Sequence, residues 1–400
     1  LGVSLLATLC VTGSVHARTS PIQVGIALNV EEARIEVTGE AGCSGVAEIR
    51  RLGAGDAFTA RVSRGRILLQ PTRSTDDLAV YEVADTFRVN PLSASSFVQI
   101  NGKRYRGGLK IFRSPLGKVH VVNVVGMEDY LRGVLPHEIG RLSSQTVEAG
   151  KAQAVAARTY ALSYIGRRAD QGFDVFDTVE DQVYGGVKDE GELTDRCIRE
   201  TAGVVALYDG SFIRANYSST CGGITSNIED VWPEPPLPWL RSVADRPEDG
   251  GEDFCKISGQ YRWTDIWETQ EFLDIINRTI PEHIEKMPRR ARRLDDIRVE
   301  SRSPSGRIAR LVISTDVGEF TVRGDRVRWI LARPKRSVGV GGPGGILRSA
   351  FFKIAAVRSG DGTPYAVVAS GGGYGHGVGM CQMGAIGMAR RGYDYGQILH

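Results

Sequence analysis

The sequence has little net charge, few cysteines and no long apolar run beyond its first residues. Its 50 Lys and Arg residues are nearly balanced by 47 Asp and Glu residues, which leaves a formal net charge of +3 over 400 residues. Proteins that bind nucleic acid typically concentrate basic residues on one face, so this balance argues against nucleic acid as the main partner. Beyond the first residues, no segment has the length and composition of a transmembrane helix. With 42% hydrophobic and 24% charged residues, the composition is typical of a globular protein of two or three domains.

The first residues have the pattern of an export signal. LGVSLLATLCVTGSVHA, residues 1–17, is apolar over the length of a secretory h-region and ends in small residues around Val15 and Ala17. The sequence leaves an uncleaved N-terminal anchor open as the alternative. We therefore expect an exported protein of the periplasm or cell envelope.

The scarcity of cysteine limits both disulfides and metal sites. Without Cys10, which lies in the predicted signal, an odd number of cysteines remains, so at least one thiol is free or pairs between molecules. Cys221 and Cys255 flank a proline-rich stretch that a disulfide could staple, or both could be unpaired buried thiols. The spacing of Cys221, Cys255, Cys381 and His376 matches no standard metal-binding pattern, so we expect no metal and no cofactor.

The patterning of the chain predicts an α+β fold, a mixed β-sheet with packed helices. Residues 18–105 alternate between apolar and polar positions and are interrupted by turns, which indicates a small antiparallel β module. Residues 109–125 predict a hairpin around a Pro-Gly turn, and residues 145–167 predict a helix. Residues 230–345 have the pattern of an insertion or subdomain, which would divide the main domain into a first part at 106–229 and a second part at 346–400.

The most informative stretch is residues 128–160, where EDYLRGVLPHEIG is followed by KAQAVAARTYAL. It places Glu138 just after an expected turn at Pro136 and ahead of a helix of small residues. A spacing of seven residues returns almost to the same helix face, so Lys151 and Arg158 should lie one above the other, about 10 Å apart. The small side chains between them let another backbone approach this helix closely.

A second informative stretch is ASGGGYGHGVGMCQMGAIGMARRGYDYGQILH, residues 369–400. Its glycines permit tight turns and the close approach of a ligand, and its polar contents include Tyr374, His376 and Gln382. A histidine between two glycines is as readily a site residue as a structural one. A nucleophilic Cys381 would need a nearby base and a lowered pKa. An amphipathic helix is expected after Gly384.

Five blocks of the sequence, in this order, resemble the stage II sporulation protein D family and its amidase-enhancer relatives. They are NVVGMEDYLRGVLPHEIG, KAQAVAARTYAL, DQVYGGV, NYSSTCGGIT and GGGYGHGVGMCQMGA, and the match covers roughly residues 100–230 and 295–400. The resemblance implies an exported peptidoglycan enzyme. The sporulation members are lytic transglycosylases, which cleave glycan strands already stripped of stem peptides by an amidase. The fold would then enclose a glycan groove.

The resemblance implies that Glu138 is the single catalytic acid and base. It would protonate the glycosidic oxygen and then, as a carboxylate, take a proton from the muramic acid 6-hydroxyl, which attacks C1 and closes a 1,6-anhydro ring. Val134, Leu135 and Ile139 are available to form an apolar pocket that raises the pKa of Glu138. Without the family blocks, an exposed carboxylate at a helix start would be the simpler interpretation.

Further residues are candidates for sugar contacts. Lys151 and Arg158 could hold the lactyl carboxylate or the N-acetyl oxygens of the sugar. Alternatively, they could pair with Glu148, Asp174 or Asp177 and only brace the fold. Flat rings, amides and hydroxyls suit the faces and edges of carbohydrates, and the candidates of this kind are Tyr184, Ser218, Ser219, Tyr374, His376 and Gln382.

The sequence departs from the family at one place and leaves two other functions open. Some sporulation members bind zinc through cysteine and histidine just before the QVY segment, whereas this chain has FDTVED at 176–181, so no zinc is expected there. One alternative is a noncatalytic amidase enhancer or wall-binding module, and the other is a cysteine hydrolase that uses Cys381 and His376. The expected partners are peptidoglycan glycan strands and a cell-wall amidase.

Overall fold

The computed structural model describes residues 21–72, 79–337 and 345–400, which divide into two compact units. The first unit ends at Arg214 and the second runs from Ala215 to His400. The predicted export signal, Cys10 and most of the glycine run at 339–345 lie outside the described residues. Each unit contains both helices and sheets, which confirms the predicted α+β class. The domain boundaries expected from the sequence stay a prediction.

The first unit is built mainly of short antiparallel strands. They are β1 (Ile22–Val30), β2 (Glu32–Val37), β3 (Ala41–Ser44), β4 (Arg51–Leu52), β5 (Ala57–Ser63), β6 (Arg66–Pro71), β7 (Tyr81–Val83), β8 (Thr86–Pro91), β9 (Val98–Ile100), β10 (Lys103–Tyr105), β11 (Gly108–Arg113), β12 (Val119–Val125), β13 (Val175–Phe176), β14 (Leu207–Tyr208) and β15 (Ser211–Phe212). One sheet has the order β13-β1-β12-β11-β8-β3-β4, a second has the order β10-β9-β2-β5-β6-β7, and β14 pairs with β15.

Alternation of apolar and polar residues explains why these segments form strands. In β2 the side chains of Ala33, Ile35 and Val37 are buried, while the polar residues between them are more exposed. β12 lies inside the seven-stranded sheet and is buried along nearly its whole length. The expected hairpin is confirmed, because β11 and β12 pair around a turn in which Gly117 has a φ of +75°. The seven-stranded sheet contains strands from before and after Tyr105, the last residue of the predicted β module. In it β1 pairs with β12, and β8 pairs with β11.

Three helices pack on one another in the first unit: α1 (Met127–Ile139), α2 (Val147–Tyr164) and α3 (Glu192–Glu200). The helix expected over 145–167 is confirmed as α2, whose buried alanines leave room for α1 and α3. The turn expected at Pro136 is wrong. Pro136 lies inside α1, which continues for three more residues and ends at Gly140, where φ is +71°. Pro136 lacks the N–H that would donate to the Arg132 carbonyl, so α1 loses one intrahelical hydrogen bond there and ends within a turn.

Gly133 is a point of close approach between α1 and the segment that follows β13. A Cβ at this position would overlap the Tyr184 ring at Cε2 and lie 3.2 Å from the Gly186 nitrogen. We expect Gly133→Ala to lower the free energy of unfolding by about 1–3 kcal/mol, because the ring and backbone would have to move. Gly53→Ala, whose Cβ meets nothing closer than 3.8 Å, is the matched control and should unfold like the wild type in urea. Equal stability of the two variants would contradict this close packing.

The second unit contains two three-stranded sheets and one short parallel pair. Its strands are β16 (Tyr217–Ser218), β17 (Trp263–Glu268), β18 (Leu294–Arg302), β19 (Ile308–Thr315), β20 (Gly318–Arg323), β21 (Phe352–Arg358), β22 (Pro364–Gly371) and β23 (Met380–Cys381). Its helices are α4 (Thr269–His283), α5 (Val327–Leu331), α6 (Gln382–Arg390) and α7 (Tyr395–Leu399). The sheets have the orders β17-β22-β21 and β18-β19-β20, and β16 runs parallel to β23.

An apolar core joins the two larger sheets of this unit to α4 and α5. Trp267 and Phe272 are buried in it, and the Trp267 indole N–H donates to the Ala332 carbonyl at 3.1 Å. Within the stretch expected to be a subdomain, α4 runs from Thr269 to His283, and the helix expected after Gly384 is confirmed as α6, which begins at Gln382. Within the described ranges, every helix is too short or too polar to cross a bilayer.

Candidate functional site

Glu138 lies in the last turn of α1 and is half-buried. The backbone N–H of Val183 donates to its Oε1 at 3.1 Å, which fixes one carboxylate oxygen. Val134, Leu135 and Ile139, its neighbours on α1, are all buried. The carboxylate is therefore held at the end of a packed helix, next to the DQVYGG segment that the sequence singled out.

The segment that holds Glu138 is itself fixed by hydrogen bonds. The Tyr130 hydroxyl donates to Gln182 Oε1 at 3.0 Å, and the Gln182 amide donates to the Ala157 carbonyl on α2 at 3.3 Å. The N–H of Gly185 donates to the Gly133 carbonyl of α1 at 3.0 Å. These bonds hold the chain on both sides of Val183, so the N–H group that contacts Glu138 is preorganised.

Two more carboxylates lie in the same region of the first unit. Asp181 forms an ion pair with Arg168 at 3.0 Å and accepts a hydrogen bond from the Tyr160 hydroxyl at 3.2 Å. Burial raises the pKa of Asp177. Burial, and after it the charges that include Asp181 and Glu138, raises the pKa of Tyr130 well above its usual range. Tyr130 therefore stays neutral and can donate its hydroxyl proton to Gln182.

Lys151 and Arg158 both make ion pairs within the first unit. Lys151 Nζ contacts Glu148 at 2.8 Å and Glu200 at 2.9 Å. Arg158 is only 1% exposed, and its guanidinium binds both oxygens of Glu128 at 2.9 and 2.7 Å. Of the two interpretations that the sequence left open, the structure favours bracing of the fold. Glu148 is one of the partners named from the sequence, whereas Glu128 and Glu200 are not, and both cations are engaged by carboxylates of the same unit.

Tyr184 is a packing residue in this structure. It is 3% exposed, its ring lies 5.6 Å from that of Tyr105 and 5.1 Å from that of Tyr130, and its hydroxyl donates to Asn123 Oδ1 at 2.8 Å. The ring faces and the hydroxyl are thus occupied by protein groups. The sugar contact expected at Tyr184 is not compatible with this position.

In the second unit, the two remaining family blocks lie side by side. β16 and β23 pair so that Ser218 stands opposite Cys381. Thr220 and Tyr374 exchange two backbone hydrogen bonds, of 3.0 and 2.8 Å. Gly379, with a φ of +74°, allows this approach because a Cβ there would overlap the Asn216 carbonyl. Residues about 150 positions apart in the chain are brought together in this way.

Five candidate sugar contacts belong to this pair of segments. Ser219, Tyr374 and His376 are half-buried, while Gln382 and Ser218 are buried. Among the described residues, Ser218 Oγ has no hydrogen-bond partner. Its hydroxyl is therefore a buried polar group that a bound water or ligand could satisfy.

His376 packs against an aromatic ring that the sequence reasoning missed. The ring of Trp232 lies 4.9 Å from the imidazole, and the backbone N–H of Val378 donates to His376 Nδ1 at 3.0 Å. A ring nitrogen that accepts a hydrogen bond carries no proton, so the neutral imidazole has its proton on Nε2. Trp232 lies far from His376 in the sequence, and no local pattern links the two residues.

Cys381 does not have the surroundings of a nucleophile. Its side chain is buried, burial raises the pKa of the thiol well above its usual range, and its sulfur accepts N–H bonds from Cys221 and Gly384, each at 3.2 Å. The only imidazole proposed as its base has Nδ1 engaged with Val378. These contacts argue against a cysteine hydrolase that uses Cys381 and His376.

Cys221 and Cys255 are free thiols rather than a disulfide, with their sulfurs 3.7 Å apart. Cys381 joins them, and so does Asp245, which the sequence reasoning missed because no recognised spacing marks it. In the described part of the chain, these four side chains form the one cluster whose ligand atoms suit a metal ion. His376, which the sequence grouped with the cysteines, is not a member.

Comparison with known proteins identifies two matching segments. Residues 116–208 match the family described as Stage II sporulation protein, and residues 252–379 match a domain of unknown function (DUF8618). An uncharacterized protein of Brachyspira hyodysenteriae is 32% identical over 303 residues, which cover 75% of this chain and 71% of that protein.

Two relatives from Bacillus subtilis carry functional names. Amidase enhancer is 27% identical over 374 residues, which cover 87% of this chain but 49% of the relative, so the chain spans about half of that protein. Stage II sporulation protein D is 27% identical over 289 residues, which cover 68% of this chain and 71% of the relative.

The fold and the paired motifs define an α+β protein with one fixed carboxylate in its first unit and a glycine-rich strand pair in its second. A family match over residues 116–208 and relatives that carry the names Stage II sporulation protein D and Amidase enhancer point to the same family. The chain belongs to the stage II sporulation protein D family.

Proposed function

We propose that this protein is an exported peptidoglycan lytic transglycosylase in which Glu138 is the general acid and base. The observation that carries the proposal is the position of Glu138, which is held by the Val183 N–H at the end of a buried helix in the family-matching segment. The names of two relatives, Stage II sporulation protein D and Amidase enhancer, support an action on the cell wall. The substrate we propose is a glycan strand from which the stem peptides have been removed.

The proposed reaction needs one carboxyl group that changes roles. Protonated Glu138 gives its proton to the glycosidic oxygen as the bond from C1 to that oxygen breaks. The resulting carboxylate then takes the proton of the muramic acid 6-hydroxyl, whose oxygen forms the new bond to C1. The products are a 1,6-anhydro end and a free 4-hydroxyl, no water is consumed, and Glu138 is protonated again.

The contacts of Glu138 suit this double role. Val183 fixes one oxygen of the carboxyl group by a neutral N–H bond, and this bond can form with either the acid or the carboxylate. Since the substrate hydroxyl attacks C1, a second catalytic carboxylate of the ordinary glycosidase kind is not required.

We also propose that the glycine-rich strand pair of the second unit contacts sugar. The strand pair carries half-buried hydroxyl, phenol and imidazole groups, an indole beside the imidazole, and a buried hydroxyl and amide, and groups of these kinds suit the edges and faces of carbohydrates. The residues we assign to this role are Ser218, Ser219, Tyr374, His376, Gln382 and Trp232.

A noncatalytic amidase enhancer is the second candidate function. It is favoured by the relative of that name, which matches 87% of this chain. In this alternative the same groups would bind glycan and localise or activate a cell-wall amidase, and Glu138 would not take part in bond cleavage.

Incubation of the purified protein with peptidoglycan distinguishes the two candidates. Intact and amidase-treated peptidoglycan are digested separately, and the products are analysed by mass spectrometry. The proposal predicts 1,6-anhydro-muramic acid ends from amidase-treated strands and few or none from intact peptidoglycan. Glycan that is bound but never cleaved, together with faster lysis when an amidase is added, would instead support the enhancer.

A further inference from the structure

Three thiols and one carboxylate converge in the second unit, apart from the residues assigned to catalysis. The ligand atoms of Cys221, Asp245, Cys255 and Cys381 all lie within 4.8 Å of one another. Cys221 and Cys255 are fully buried, and Cys381 and Asp245 are 6% and 8% exposed. Four acidic groups rarely share a buried space unless a cation or shared protons compensate their charge.

The spacing of the sulfur atoms matches a tetrahedral zinc site. With zinc–sulfur bonds of about 2.3 Å, two sulfurs of a tetrahedron lie about 3.8 Å apart. Cys221 Sγ and Cys255 Sγ are separated by 3.7 Å. A disulfide would require about 2.0 Å between these atoms.

Backbone N–H groups point at the atoms that would carry negative charge. Cys381 Sγ accepts from the N–H of Cys221 and of Gly384, each at 3.2 Å, and Cys221 Sγ accepts from the N–H of Gly223 at 3.4 Å. The Cys255 N–H donates to Asp245 Oδ2 at 2.9 Å. Donors of this kind orient metal ligands and stabilise thiolates.

The residues around the cluster leave space for the Asp245 carboxylate and shield the thiols from solvent. Gly384 is needed, because a Cβ there would overlap Asp245 Oδ1. The three cysteines form a small apolar cluster of their own, against which Tyr261 and Met383 pack. All four tetrahedral positions would be filled by protein atoms, which is the arrangement of a structural site rather than a catalytic one.

We propose that Cys221, Asp245, Cys255 and Cys381 form a structural zinc site. Three soft thiolates select zinc over magnesium or calcium, which prefer oxygen ligands. The ion would join the loop after β16, the loop at Asp245, the short helical turn Phe254–Ile257 and the N-terminus of α6. It would thereby fix Cys381, which lies in β23 and caps the N-terminus of α6, directly after the glycine-rich segment. This site goes beyond the proposed enzymatic function and replaces the sequence-based expectation that the chain holds no metal.

Metal analysis of the full chain tests the proposal. Protein purified under reducing conditions should contain one zinc ion per chain by mass spectrometric elemental analysis. When Co²⁺ replaces zinc, the wild-type protein should show the intense visible bands of tetrahedral cobalt together with sulfur-to-cobalt charge transfer. Cys255→Ser should lose both signals, whereas Cys43→Ser, a half-buried cysteine of the first unit, should keep both.

Asp245→Asn tests the fourth ligand without removing a thiol. We expect its zinc dissociation constant to rise by at least about tenfold, since even the loss of an outer-shell partner of a zinc site costs this much. Unchanged zinc affinity in this variant would overturn the four-residue assignment. A zinc-free protein whose Cys221 and Cys255 peptides are joined under non-reducing conditions would overturn the metal site altogether. Both results are independent of glycan cleavage and leave the proposed function untouched.

Discussion

We expect Glu138→Gln to lower the rate of anhydro-glycan formation by about 10²- to 10⁴-fold, the usual contribution of a general acid or base. Glutamine keeps the shape of the side chain and its oxygen can still accept the Val183 N–H, but it can neither donate a proton to the leaving oxygen nor take one from the 6-hydroxyl. The rate is measured from anhydro ends released from amidase-treated strands. Binding of the same strands, measured by co-sedimentation, should be retained.

Two control variants separate this effect from a general loss of charge. Glu148→Gln removes a carboxylate that is ion-paired with Lys151 in the same unit, and it should cleave like the wild type. Asp177→Asn removes a nearby carboxylate whose pKa burial already raises, and it should retain most of the activity if one carboxyl group suffices. If Asp177→Asn lost cleavage while Glu138→Gln retained it, the assignment of catalysis to Glu138 would be contradicted.

Arg158→Met should lower the free energy of unfolding by about 1–3 kcal/mol, because it removes a buried guanidinium that pairs with the partly exposed Glu128 and leaves buried acceptors without a donor. The side chain of Arg158 also donates to the Val204 carbonyl at 3.0 Å and to the Ile198 carbonyl at 3.4 Å, and both acceptors would lose a partner. The measurement is urea unfolding followed by circular dichroism. Cleavage per folded molecule should be unchanged, since the role we assign to Arg158 is to brace α2 against α1 and α3.

Arg196→Met is the matched control for this loss of a guanidinium. Arg196 forms an exposed pair with Glu200 on α3, and such pairs contribute at most about 1 kcal/mol. If Arg158→Met were as stable as Arg196→Met but no longer bound glycan strands, the bracing role would be contradicted and the sugar contact that the sequence left open would be restored.

The sequence predicted local structure better than it predicted partners. The helix α2 follows from a run of good helix formers without proline, and the alignment of Lys151 with Arg158 follows from helical geometry. The partners of these cations, Glu128 and Glu200, are set by the packing of α1 and α3 on α2 and leave no local signal. For this reason, the sequence alone could not decide whether Lys151 and Arg158 contact sugar or brace the fold through ion pairs.

The difference between local patterns and tertiary partners also explains the wrong expectations at Pro136 and Tyr184 and the omission of Asp245. Proline usually ends or kinks a helix, but in α1 the loss at Pro136 is one intrahelical hydrogen bond, and the helix continues to Ile139. A tyrosine in a conspicuous motif is not distinguishable from a core tyrosine until its hydroxyl partner, Asn123, is known. Asp245 joins the three cysteines only through loops, and no ligand spacing in the sequence marks it.

The most direct test of the central claim is cleavage of amidase-treated glycan strands in water enriched in oxygen-18. Because the muramic acid 6-hydroxyl attacks C1, the account predicts 1,6-anhydro ends that carry no label with the wild type, and a loss of these ends with Glu138→Gln. Reducing ends labelled with oxygen-18 would show that water is the nucleophile, and they would contradict the transglycosylase mechanism proposed for Glu138.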